Sequence, residues 1–172
     1  PSSNFTEDQF MNAIDFLKGK ISDGFIRQVK GNSYSESLVN GDAVAVIGWS
    51  GDMFILKSEN KGKFDFAIPE SGGMLWSDNL LIPSTSTHKK NAELLMNHYY
   101  DPAVAAEVAA YVNYICPVEA AQPELEKIDP ALAESPYIFP DEATLAKVKV
   151  FRSVTADEQT SFQAAFDEAI GN

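Results

Sequence analysis

Two pairs of tryptophan and aspartate are the residues of this sequence whose types and spacing suggest chemistry. Trp49 and Asp52 are three residues apart, and Trp76 and Asp78 are two residues apart. An indole face attracts a cation and covers methylene groups, while a carboxylate accepts charge-assisted hydrogen bonds from an ammonium group. Both pairs therefore predict a site for an alkyl-ammonium ligand.

Two tyrosines in irregular segments, Tyr34 and Tyr114, are candidates for further walls of such a site. A structural explanation of the same residues stays open at this point. Both tryptophans would then belong to the hydrophobic core, and both aspartates would be turn or helix-capping residues.

Other chemistries have weaker support. The sequence lacks the nucleophile-elbow, phosphate-loop, dinucleotide and zinc-protease motifs. His88 and His98 are the two histidines, with no third metal ligand in view, and Cys116 is the one cysteine, which excludes an internal disulfide. We predict no catalytic residue, no metal and no cofactor, but a hydrolase or transferase that uses Ser50 or Asp52 remains an alternative from a different class.

The composition of the chain limits the classes of ligand and macromolecule that it is expected to bind. The 172 residues are 45% hydrophobic and carry a net charge of -12, which disfavours nucleic acid and anionic membranes and mildly favours a cationic ligand. No apolar run approaches the roughly 20 residues that a membrane-spanning helix needs.

Three segments have strand patterns, namely residues 43–49, 64–68 and 74–82. Residues 43–48 are apolar or glycine without a polar break, which is typical of a strand buried on both faces. Ligands bind beyond the carboxyl ends of such strands, where Trp49 and Asp52 follow. A sheet of three strands is too narrow to cover the apolar faces of the many predicted helices. We therefore expect further strands from an absent segment or a second copy.

Several helix starts and stops are marked in the sequence. Capping boxes at 6–9 and 155–158 predict two helices, the first ending near Gly19 and the second at Gly171. Asp101-Pro102 predicts another helix start. The acidic, proline-punctuated residues 123–140 predict an excursion over the surface.

Longer blocks of the sequence resemble a known family. SYSESLVNGDAVAVIGWSGD, FAIPESGGMLWSDNLLIPSTSTHKKNAELLMNHYYDPAVAAEVA and NYICPVEAA are similar to the carboxy-terminal half of the polyamine-binding proteins of bacterial ABC transporters. The resemblance covers essentially the whole chain. It implies an α/β, class II periplasmic-binding-protein-like fold that is incomplete and comprises the carboxy-terminal half of two lobes.

The resemblance also implies a function and a set of contacts. The chain would belong to the solute-binding component of an importer that captures putrescine or spermidine, and a class II receptor for another small solute is the alternative. No enzymatic activity is implied. The implied ligand-binding residues are Trp49, Asp52, Trp76, Asp78, Tyr114 and Tyr34.

The same resemblance implies an arrangement of lobes and partners. Residues 1–63 would form the second half of lobe 2, residues 64–70 a crossover, and residues 71–172 the carboxy-terminal part of lobe 1. The chain would pair with a missing amino-terminal half or a swapped second copy, and would deliver ligand to a membrane permease. Its location would be periplasmic or extracellular, and the sequence leaves open whether a lipid anchor precedes it.

Overall fold

Helices make up most of the chain in this computed structural model, which describes residues 3–171. A 3-10 turn spans Glu119–Ala121. The regular elements within the described residues are α1 Glu7–Ser22, α2 Tyr34–Val39, α3 Ser50–Glu59, β1 Gly73–Met74, α4 Lys89–Tyr99, α5 Pro102–Val112, α6 Gln122–Ile128, α7 Pro130–Ala133, α8 Glu142–Leu145, β2 Val148–Lys149 and α9 Ala156–Ile170.

The described residues form two compact units. The first unit contains the residues up to Ile47 and those from Lys149 onward, and the second unit is Gly48–Val148. The two-lobe boundaries at residues 1–63, 64–70 and 71–172 remain a prediction, and residues 1, 2 and 172 of those ranges lie outside the described part of the chain.

The first unit joins the two ends of the chain through α1 and α9. Both predicted capping boxes are confirmed: the Thr6 and Thr155 side chains each accept from the backbone N–H of the third helical residue. Phe10 of α1 stacks on Phe162 of α9 with ring centroids 4.0 Å apart. Aromatic packing at this distance, together with the buried area, stabilises the contact between these sequence-distant helices.

Arg152 ties the segment before α9 to the start of the chain. Its guanidinium donates to both carboxylate oxygens of Glu158, at 2.6 and 3.1 Å, and to the backbone carbonyl of Phe5 at 2.9 Å. It also lies 4.5 Å from the centroid of the Phe5 ring. The Arg152 hydrogen bond, followed by the backbone N–H of Thr155, lowers the pKa of Glu158 to about 2.

We expect Glu158→Gln to destabilise the first unit in a pH-dependent way. The folded-state pKa lies below the ordinary value of 4.5, so ionised Glu158 stabilises the fold above that pH. The contribution is lost as the pH falls toward 2, so the melting temperatures of wild type and variant should converge there. Thermal unfolding followed by far-UV circular dichroism measures this difference.

Asp157→Asn is the matched control, because Asp157 also lies in the first turn of α9. It removes the same charge from the helix start but leaves the Arg152 pair intact. A gap between wild type and Glu158→Gln that stays constant at all pH values would contradict the assigned pair.

The core of the second unit is built on the alanine-rich helix α5. Asp101 accepts from the backbone N–H groups of Ala103 and Val104, which confirms the predicted helix start. Leu125 of α6 and Ile138, just after α7, are fully buried against the small side chains of α5. The prediction of a surface excursion at 123–140 is therefore wrong: Leu125, Ala133 and Ile138 of this stretch belong to the core, while most of its acidic and proline residues are exposed.

The three predicted strands at 43–49, 64–68 and 74–82 are also wrong as regular elements of the described chain. Among residues 3–171, strand structure is limited to β1 and β2, which form one two-stranded sheet. Val44 and Ile47 are fully exposed, whereas the prediction placed them in a buried strand. An apolar run favours a strand but forms one only when a neighbouring strand satisfies its backbone groups. The α/β class is thus only partly seen, in a mostly helical chain.

Candidate functional site

The start of α3 positions the first predicted pair. Trp49 is the residue before the helix and has extended backbone angles, φ -84° and ψ 138°. Asp52 lies in the first turn, where a carboxylate interacts favourably with the positive end of the helix. The Asp52 side chain is half-buried and that of Trp49 is 43% exposed. The helix thus holds a carboxylate beside an accessible indole.

Trp76 brings a second indole to the same place. It follows β1, which is anchored by a 3.0 Å hydrogen bond from the Gly73 N–H to the Lys147 carbonyl. The Trp49 and Trp76 ring centroids are 5.3 Å apart with the planes at 71°, an edge-to-face contact. Trp76 is 46% exposed. The two indoles form one continuous surface, one part of which remains accessible.

Tyr114 joins the two indoles to the carboxylate. The left-handed conformation of Asn113, φ 58°, ends α5 and leads directly into Tyr114. The Tyr114 ring contacts Trp76 edge-to-face with centroids 5.8 Å apart, and its hydroxyl donates to Asp52 Oδ1 at 3.1 Å. We call Trp49, Asp52, Trp76 and Tyr114 the aromatic-acid cluster.

Electrostatics keep the tyrosine in its neutral, donating form. Burial and then the hydrogen bond to Asp52 raise the pKa of Tyr114 to about 12. A raised pKa in the folded state means that this contribution to stability is present below the ordinary value of 10 and is lost as the pH rises toward 12. The hydroxyl therefore holds the Asp52 carboxylate throughout the neutral range.

Two further predicted residues have other surroundings. The Asp78 side chain is exposed, and within the described residues it is not part of the ring and hydrogen-bond contacts of the aromatic-acid cluster. Tyr34 belongs to the first unit, where it begins α2 and is 9% exposed. Roles for both residues in ligand binding remain predictions.

Gly51 is a further residue that contacts the aromatic-acid cluster, and the sequence does not predict it. It is buried between Ser50 and Asp52, and the Tyr114 ring lies directly over it. No local pattern in the sequence indicates this role, because it depends on the distant Tyr114 ring.

The part of the chain that is described contains neither a metal-binding cluster nor a membrane-spanning helix. No group of three or more histidine, cysteine or acidic residues there is arranged to hold a metal ion. None of the helices between residues 3 and 171 combines the length and apolar character needed to cross a bilayer.

Comparison with known proteins places this cluster in context. Residues 4–139 match the family model described as bacterial extracellular solute-binding protein. The chain is 29% identical over 153 residues to the putrescine-binding periplasmic protein PotF of Escherichia coli, covering 86% of this chain and 40% of that protein. It is 25% identical over 127 residues to a putrescine/agmatine-binding protein of Pseudomonas aeruginosa, covering 71% and 34%.

A third relative extends the range of organisms. The spermidine/putrescine-binding periplasmic protein 1 of Haemophilus influenzae is 27% identical over 106 residues, which cover 62% of this chain and 28% of that protein. The chain thus spans at most two fifths of the length of these relatives. Since the family model covers well over half of the sequence, the chain belongs to the bacterial extracellular solute-binding protein family.

Proposed function

We propose that this chain is part of a solute-binding protein that captures a polyamine such as putrescine or spermidine for an ABC importer. The names of three relatives support the ligand class. The observation that carries the proposal is the aromatic-acid cluster, in which Trp76 contacts both Trp49 and Tyr114, and the Tyr114 hydroxyl donates to the half-buried Asp52 carboxylate. That combination suits a ligand that is both hydrocarbon and cation.

The aromatic and acidic side chains would contact different parts of a diamine. The faces of Trp49 and Trp76 would cover the methylene chain and attract the ammonium group through their π electrons. Asp52 would accept charge-assisted hydrogen bonds from the ammonium group, and such a desolvated pair contributes about 1.5 kcal/mol or more. Asp78 would hold a second amino group, and Tyr34 keeps its predicted role as a further aromatic contact.

The proposal extends to the fold and to the partners. A class II receptor closes two lobes on its ligand, with residues 64–70 as a crossover between them. The exposed Val44 and Ile47 are compatible with strands supplied by further sequence or by a second copy. The whole receptor would work outside the cytoplasmic membrane and pass its ligand to a membrane permease.

Isothermal titration calorimetry on the complete gene product tests the proposal. Putrescine and spermidine should bind with micromolar or tighter affinity, and added salt should weaken binding because the contacts include ion pairs. The control ligand is 1,4-butanediol, which has the same chain length as putrescine but no charge and should not bind. Absence of heat with either polyamine, or equal affinity for the diol, would contradict a site built for cations.

The remaining alternatives make different predictions in the same experiment. A receptor for another solute would leave both polyamines without effect while a different small molecule stabilises the protein. A hydrolase or transferase that uses Ser50 or Asp52 would turn over a substrate, and the loss of that turnover in Ser50→Ala would identify it.

A further inference from the structure

Gly51 occupies a position where glycine has no local advantage. It is the second residue of α3, and not at the helix C-terminus or in a turn, where glycine is favoured. Its φ is not one of the positive values found at other glycines of the chain, so the backbone conformation is open to any residue. The reason for a glycine must therefore lie in what packs against it.

The Tyr114 ring supplies that reason. A Cβ on Gly51 would lie 2.7 Å from the ring atom Cζ, and closer still to Cε2 and Cδ2. The ring cannot easily yield, because its hydroxyl is bonded to Asp52 Oδ1 at 3.1 Å and its edge contacts the Trp76 ring. Any side chain at position 51 would push Tyr114 away from at least one of these partners.

We infer that Gly51 is a positioning residue for polyamine binding: its missing side chain lets the Tyr114 ring lie against Trp76 while the hydroxyl orients the Asp52 carboxylate. The inference rests on the proposed function for its effect on affinity. Its effect on ring placement does not depend on any ligand, so the two can be measured separately.

Gly51→Ala is the decisive variant, and Gly19→Ala is its matched control. Gly19 also lies within a helix, α1, and a Cβ there would meet nothing within 4 Å. Near-UV circular dichroism of the ligand-free protein reports the coupling of Trp49 and Trp76 with Tyr114, and these are the two tryptophans of the sequence. Gly51→Ala should change that spectrum and weaken putrescine binding about tenfold, since a ring contact and a hydrogen bond are lost.

A double variant shows whether the effect passes through the tyrosine. In a Tyr114→Ala background the obstacle is gone, so Gly51→Ala should leave affinity within about twofold of Tyr114→Ala alone, as for coupled neighbours. A further tenfold loss in that background would overturn the inference. So would a Gly51→Ala protein with the spectrum and affinity of wild type.

Misfolding also gives a clear result. If Gly51→Ala does not fold but Gly51→Ala/Tyr114→Ala does, the clash with Tyr114 is the cause and the inference stands. If neither variant folds, Gly51 is needed for some other contact and the inference falls. If wild type binds no polyamine, the proposed function fails, and the near-UV spectrum alone decides whether Gly51 positions Tyr114.

Discussion

Replacing Asp52 with asparagine is expected to weaken putrescine binding by roughly 30-fold, equivalent to about 2 kcal/mol. The asparagine side-chain oxygen can still accept from the Tyr114 hydroxyl, which now lies 3.1 Å from Asp52 Oδ1. The substitution therefore removes the negative charge while keeping the shape and the internal hydrogen bond. Titration calorimetry with putrescine at low salt, on the complete gene product, measures the change.

Two controls isolate the contribution of the charge in the Asp52→Asn experiment. Glu107→Gln removes one negative charge from the exposed side of α5 in the same unit and should leave affinity within about twofold. Thermal unfolding of Asp52→Asn shows the separate loss of a helix-start carboxylate, which is worth about 0.3–1 kcal/mol. An affinity for putrescine equal to that of wild type would remove Asp52 from the proposed site.

Helix starts were predicted from the sequence because their causes are local. The capping boxes at Thr6 and Thr155 and the proline after Asp101 each involve residues within one turn of one another. Gly19 was predicted to end α1, yet the helix continues to Ser22, since a glycine with open space around it lowers helix stability without forbidding the helix.

The strands could not be predicted in the same way, because strand formation depends on partners distant in sequence. Residues 43–48 have the composition of a buried strand, but Val44 and Ile47 are fully exposed in the described chain. The prediction for residues 123–140 is wrong for a related reason. Acidic and proline residues are as numerous there as apolar ones, and burial of Leu125 and Ile138 is decided by contacts with α5.

The sequence predicts which residue types form the candidate site but not the contacts between them. The sequence predicts Trp49, Trp76 and Tyr114 as aromatic contacts, and Trp76 lies against both of the other rings, although a ligand-binding role for each stays a prediction. The hydrogen bond between Tyr114 and Asp52 joins residues 62 positions apart, and no local pattern announces it. The space over Gly51 depends on the same long-range contact.

Leu125→Ala is expected to cost the second unit about 2–5 kcal/mol of its free energy of unfolding, because the side chain is fully buried and its removal leaves a cavity. Its neighbours in the core include Ala105, Ala106 and Ala109, which are too small to fill the space by changing rotamer. Both tryptophans lie in the second unit, so thermal unfolding followed by tryptophan fluorescence reports on this unit.

The control for Leu125→Ala is Leu95→Ala on α4, the same substitution at a side chain that is 70% exposed. It should change the free energy of unfolding by no more than about 0.5 kcal/mol.

The buried position of Leu125 also affects the aromatic-acid cluster. The N–H of Cys116, two residues after Tyr114, donates to the carbonyl of the buried Ile138 at 2.9 Å. Loosening the core around Leu125 and Ile138 should therefore release Tyr114 from Asp52 and weaken polyamine binding at temperatures where the protein is still folded. Wild-type affinity in a destabilised Leu125→Ala protein would show instead that the cluster is held by α3 and β1 without support from residues 123–140.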